Sequence, residues 1–390
     1  MKLPESNETR LLRLCARTTL DGNQTSRIRE LCDGVIRWNH LLAAADRHAV
    51  LPLVAQSLQT SADDLLSAKV SQSLARNTRA QTFESIRLCA ELLKIMNAFT
   101  AESIRVLSFK GPTLASLAYG SVALRPFGDL DILVSPTDAV RAARLLHRLG
   151  FPAWTSSDEK NLAGECEATF VRPDGQLTVD LHWALSRDGL PFSVPFEKLW
   201  AQAQRVQVGG AHVPTLATQD LCLFLCLHGT KHLWERLSWV CDIAELIRAQ
   251  PQLDLNRLLH RADQMGYGRM VLLSLELARS TLDLPLPQEI ARRASSDRTV
   301  QRMSLRLQHQ LLAIDAAPPP ASPLVVAIRM MGFHLRTLNR TRDRIRYLKY
   351  AMMPNPRDRN TLALPQSLHF LHLFTRPLRL FRRYAINSAA

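Results

Sequence analysis

The sequence predicts an α+β protein: a small mixed β-sheet core held between helical N-terminal and C-terminal domains. Three observations carry this. The first hundred residues repeat apolar positions at three and four spacing, as in Leu88, Leu92, Ile95, Met96 and Phe99. Short β-rich runs then alternate with one amphipathic helical stretch as far as Trp183, and from Thr218 the helical period returns.

In chain order, residues 104–109 (IRVLSF) form an apolar run ended by Lys110-Gly111-Pro112, a strand followed by a break. Pro112 suits the first turn of a helix because it has no N–H to lose there, so a helix over residues 112–119 is expected. Residues 130–134 (LDILV) read as a second strand and residues 136–149 as an amphipathic helix closed by Gly150. Residues 168–171 read as a third strand, which the Pro173-Asp174-Gly175 turn returns into residues 176–183, QLTVDLHW. The helical run then extends through LCLFLCLHGTKHLWERLSWVCDIAELI and residues 253–284, and AAPPPASP, residues 316–323, reads as a linker. The expected organisation is a helical domain over 1–100, an α/β core over 101–215, a helical domain closing a cleft over 216–315, and a linker with a basic tail over 316–390.

Composition excludes several classes. With 46% apolar and 22% charged residues the chain is neither disordered nor fibrous. No stretch reaches the length of a membrane span and the start, MKLPESNETR, lacks a secretory pattern, so a cytoplasmic address is expected. The seven cysteines are scattered without a CxxC pair, which argues for reduced, buried thiols over a disulfide framework or zinc ribbon. Charge is uneven: residues 329–383 contribute +11 of the net +14. Such a block reads either as a surface for an anionic partner (phosphates, nucleic acid or membrane) or as a solvated basic helix.

In GDLDILV, Asp129 and Asp131 sit two apart at a strand mouth, so both carboxylates point to one face. Two acids so placed repel unless a cation lies between them, and magnesium favours one or two carboxylates together with substrate phosphates. A DxD pair alone recurs by chance in many chains. Asp180 in TVDLHW makes it a set, because Val179 and Leu181 alternate to the opposite face and leave Asp180 free to meet the pair across a sheet. Three such acids suit two-metal phosphoryl transfer with magnesium or manganese, and Asp180 could serve as base toward an acceptor hydroxyl.

Around the acids, backbone N–H groups at the helix start after Lys110-Gly111 can take phosphate oxygens, with Gly111 allowing close approach and Lys110 adding charge; the plainer alternative is a simple strand-to-helix turn. Arg125 either pairs with the acids or clamps a phosphate. His182 shares the face of Asp180, where it contacts acceptor or phosphate, or else bonds a backbone carbonyl or a neighbouring acid. His228 and His232 lie one helical turn apart, but Gly229 follows the first and no catalytic Glu completes an HExxH pattern.

Taken in order, LSFKGPTLASLAYG, LRPFGDLDILVSP, TVDLHWAL and LHGTKHLWERLSWVCDIAELI resemble the nucleotidyltransferases of the DNA polymerase β superfamily, and within it a poorly characterised bacterial group. The resemblance extends to RIRYLKYAMMPNPRDR and FTRPLRL in the tail. It implies Asp129 and Asp131 as the metal pair, Asp180 as the third acid, Lys110-Gly111 as the phosphate-contacting turn, and His228, Lys231 and His232 as lining the cleft opposite the sheet. For these last three, the other reading is interdomain packing with Trp234 and Trp239, with Asp242 orienting one of them. The implied chemistry is transfer of a nucleoside monophosphate from an NTP to an acceptor hydroxyl, on a small molecule or a protein and, ranked below them, an RNA end, with release of pyrophosphate. One departure stands out: the superfamily carries Gly-Ser after its first strand and this chain carries Gly111-Pro112. Gly120-Ser121 lies too close to Asp129 to leave room for a helix and a returning turn. The proline leaves a second expectation beside the enzyme: a catalytically weakened nucleotide-binding or scaffolding module of a biosynthetic cluster.

Overall fold

A run of helices opens the chain: α1 (Asn7–Cys15), α2 (Gly22–Cys32), α3 (Trp38–Arg47), α4 (Leu51–Ala62) and α5 (Ala68–Ala101). Local chemistry sets their ends. Asp21 and Gln24 close a reciprocal capping box on α2, and the Ser67 side chain accepts from the Val70 N–H at the start of α5. The computed structural model describes residues 5–152, 166–186, 194–314 and 323–352.

After α5 come β1 (Val106–Ser108), α6 (Gly111–Tyr119), β2 (Asp129–Val134), α7 (Ala139–Arg148), β3 (Glu167–Val171), β4 (Thr178–His182), α8 (Phe196–Ala201), β5 (Gln204–Val208) and β6 (Ala211–Thr215). The main sheet runs β1-β2-β4-β3, with β2 and β4 parallel and both outer pairs antiparallel, which is the small mixed sheet expected of an α+β fold. The hairpin β5–β6 was not anticipated. Its turn holds Gly209 and Gly210 at φ +55° and +85°, the conformation a tight hairpin turn requires, between alternating Val206, Val208 and Val213.

Alternation along β2 divides the molecule into two packed layers. Leu130, Ile132 and Val134, with Val179, Leu181 and Phe170, pack against the second half of α5 (Leu88, Leu92, Ile95, Phe99) and against α7 (Ala142, Leu145, Leu146). Asp129, Asp131 and Leu133 face the other way, and Leu133 joins a larger core with Leu107 and Phe109. That core also takes in α1–α4, Val70 and Leu74 from the first half of α5, and the helices that follow the sheet.

Those helices are α9 (Thr218–Lys231), α10 (Leu237–Ala249), α11 (Leu255–Met265), α12 (Gly268–Leu282), α13 (Gln288–Ser296), α14 (Arg298–Leu311), α15 (Pro323–Thr337) and α16 (Thr341–Met352). The helical run expected after Thr218 is broken between α9 and α10, where Leu233 and Trp234 both take φ +56°. The Trp234 ring lies against Gly229, so close that a Cβ there would sit 2.5 Å from ring carbons, and only glycine admits the turn. Most of the expected linker and the tail beyond residue 352 lie outside the described residues. All seven cysteines are free and buried. Among the described residues no helix is long and apolar enough to cross a membrane.

Candidate active site

A cavity of about 760 Å³ opens between the polar face of the sheet and the α9–α10 pair. The sequence-derived candidates Asp129, Asp131, Asp180, Lys110, Gly111, Arg125, His182, Lys231 and His232 all line it.

The sheet supplies the acids. Asp131 on β2 pairs in register with Asp180 on β4, and Asp129 with Thr178, so the three carboxylates lie on one face of the parallel pair. Asp131 is 1% exposed; its Oδ1 meets Lys110 Nζ at 2.6 Å and His182 Nε2 at 3.2 Å. Burial works to raise the Asp131 pKa, but Lys110 and His182 outweigh it and hold the carboxyl well below the usual carboxylate range. Asp129 shifts the opposite way, raised by burial and by the charge of Asp131. Burial likewise opposes the charge on Lys110, and Asp131 and Asp129 overcome it, leaving that ammonium firmly protonated.

Gly111 opens α6 at φ +51°, and a Cβ there would stand 3.2 Å from the Asp129 carbonyl oxygen. The turn therefore needs glycine both for its backbone conformation and for its approach to β2. Lys110 precedes it and folds over the acids, its ammonium 6.0 Å from the Phe224 ring centroid on α9.

Arg125 lines the cavity but its guanidinium is engaged. It donates to both Asp242 oxygens, at 2.7 and 3.0 Å, and the Tyr119 hydroxyl donates to the same carboxylate at 2.7 Å. Asp242 thus orients Arg125 and Tyr119, where the sequence suggested one of the α9 side chains. His182 faces Glu167 with its other ring nitrogen at 3.2 Å, and Glu167 in turn lies 3.7 Å from Lys231 Nζ. Glu167 escaped notice in the sequence because the expected strand began one residue late. Thr169, also missed, donates to Asp180 Oδ1 at 2.6 Å. Both alternate with Phe170 on β3, the signal that could have revealed them.

On the opposite wall, His228 is stacked at 30° on Phe224, with centroids 5.8 Å apart. Its ring lies 4.7 Å from that of His232, and both approach Trp239, at 5.6 and 5.3 Å. Burial first, then neighbouring lysine charge, pushes the His228 pKa well down and that of His232 to about 4. These imidazoles are neutral near pH 7.

The donor set fits a divalent cation. One atom each from Asp131, Asp180 and His182 lies within 4.8 Å of the others, and buried Asp131 Oδ2 has no hydrogen-bond partner among the described residues. A buried carboxylate oxygen left without a donor is costly unless a cation meets it. Asp129 stands beside this set on the same face and is not one of its three members.

No curated protein and no solved structure matches the chain. The profile of a family described as uncharacterised nucleotidyltransferases does match, over residues 34–283, a span that contains the sheet, the acids and both α9 and α10. The chain belongs to this uncharacterised nucleotidyltransferase family.

Proposed function

We propose that the protein is a metal-dependent nucleotidyltransferase of the DNA polymerase β type, moving a nucleoside monophosphate from an NTP to an acceptor hydroxyl. The observation that carries this reading is the meeting of Asp129, Asp131 and Asp180 on one cavity wall with the Lys110-Gly111 turn. Asp129, Asp131 and Asp180 would hold magnesium or manganese, which would neutralise triphosphate charge and activate an attacking hydroxyl. Lys110 and the α6 start face the phosphates, and Lys231 adds a cation from the far wall. His182, held between Asp131 and Glu167, fixes the orientation of Asp131.

In the transfer, the acceptor oxygen bonds to the α-phosphorus, the bond from that phosphorus to the bridging oxygen breaks, and pyrophosphate leaves with its electron pair. Asp180, half-buried and anchored by Thr169, takes the hydroxyl proton. The acceptor we favour is a small molecule or a protein, ahead of an RNA end, and the setting is cytoplasmic, in keeping with the buried free thiols.

The test is to offer each of the four triphosphates with magnesium or manganese and to follow pyrophosphate and product mass in cell extract. Modification that vanishes in the Asp129→Asn/Asp131→Asn double variant is the expected result. Metal-dependent triphosphate binding left intact in that variant would remove the assignment. A second reading rests on Pro112, which stands where the superfamily has serine. A binding module without turnover would retain metal-dependent NTP affinity and release no pyrophosphate.

A further inference from the structure

We infer that the ring wall formed by Trp239 and His232, continued inward by His228, is the nucleobase subsite, so that the donor is held by stacking of a flat heteroaromatic ring. The inference rests on the nucleotidyltransferase reading of the same cavity and goes beyond it by placing the base end of the ligand.

The wall begins at the phosphate side and leads away from it. Lys110, which contacts Asp131, lies over Phe224; Phe224 stacks on His228; His228 meets His232 and Trp239. A triphosphate anchored at Lys110 and the acids has its base displaced along the cavity, and this line of rings is what the opposite wall offers there. All four rings line the cavity, Phe224 the most buried of them and His228, His232 and Trp239 more open.

Charge supports the assignment. Lys110 and Lys231 already bring cations to the cavity, and the two imidazoles between them are kept neutral by burial and by those charges. A neutral imidazole gives a phosphate no ionic attraction, but it presents a π face like that of the neighbouring indole.

Backbone strain is spent on building this wall. Leu233 and Trp234 both hold left-handed φ values, a conformation that is unfavourable for residues with side chains. This double turn brings Trp239 from α10 beside His232 at the end of α9.

The experiment measures, by calorimetry with manganese present, the affinity of the full chain for ATP, CTP and inorganic tripolyphosphate, which lacks a base. Wild type should bind the nucleotides more tightly than tripolyphosphate, by roughly tenfold or more, the gain usual for stacking one base on an aromatic side chain. Trp239→Leu should erase that margin and leave tripolyphosphate binding unchanged, while Trp239→Phe keeps most of it. His232→Ala gives an independent readout at a half-exposed site should the tryptophan variants fold poorly. Equal affinity for nucleotide and tripolyphosphate in wild type overturns the base subsite and leaves the triphosphate reading standing. An unchanged margin in Trp239→Leu and His232→Ala, or parallel losses for both ligands, also overturns it. If wild type binds neither ligand, both readings fall together.

Discussion

Asp131 and Asp180 are partners in the parallel register of β2 and β4, yet they live in different environments. Asp131 is buried against Lys110 and His182, whereas Asp180 is half-buried and accepts from Thr169. Two carboxylates at one height of the sheet are thus fixed by opposite means, one by ionic pairing inside the protein and the other by a hydroxyl at the cavity edge.

The two positions should therefore separate stability from binding. Asp131→Ala leaves the buried Lys110 ammonium without its closest partner, a change expected to lower stability by about 3–5 kcal/mol. Asp180→Asn should stay within about 0.5 kcal/mol of wild type. Both should abolish manganese-dependent triphosphate binding. Urea unfolding without metal, paired with calorimetry, checks this, and equal destabilisation by the two variants would contradict the environments described.

Gly111 and Gly120 provide a second contrast, since both have positive φ but only Gly111 faces β2. Gly111→Ala should lose about 1–2 kcal/mol through its left-handed backbone and, by pressing on the Asp129 carbonyl, weaken triphosphate binding as well. At Gly120 a Cβ meets nothing within 4 Å, so Gly120→Ala should show the backbone effect with ligand affinity intact. Thermal melts and binding isotherms on the two variants distinguish the cases.

A third outcome concerns pH. His48 is buried between α3 and α4, its Nδ1 accepting from the Leu237 N–H at 3.2 Å. Burial, helped by Arg47 and Arg236, lowers its pKa from 6.5 to about 4. The unfolded chain then binds the extra proton first as pH falls. The contribution is complete above about pH 6.5 and is lost as pH drops through the folded value near 4. At about 1.36 kcal/mol per unit of pKa difference, it is worth roughly 3 kcal/mol across that window. Urea midpoints at pH 7.5 and pH 5 should diverge more for wild type than for His48→Gln, and identical divergence would discount His48 as the source.

Much of the candidate site was legible in the sequence, and the physical reason is local. Asp129, Asp131 and Asp180 could be assigned to faces because strands alternate, and Lys110-Gly111-Pro112 could be read as a helix start because proline and glycine have narrow backbone uses. What escaped was partnership at long range. Arg125 and Asp242 are 117 residues apart, and nothing near either says that one holds the other. Glu167 was missed because the expected strand began one residue late, at Ala168, and the α9–α10 turn because its cause is the fit of Trp234 against Gly229.

Helix α5 has a consequence for how the molecule comes apart. Its 34 residues span roughly 50 Å, with Leu74 embedded in one core and Phe99 in the other. Neither core can open without stripping one side of a helix whose other half is still packed. Cooperativity is therefore carried in part by one continuous rod, beside β2, whose Ile132 and Leu133 also enter different cores, and the sheet that bears the acids shares its unfolding fate with the N-terminal helices.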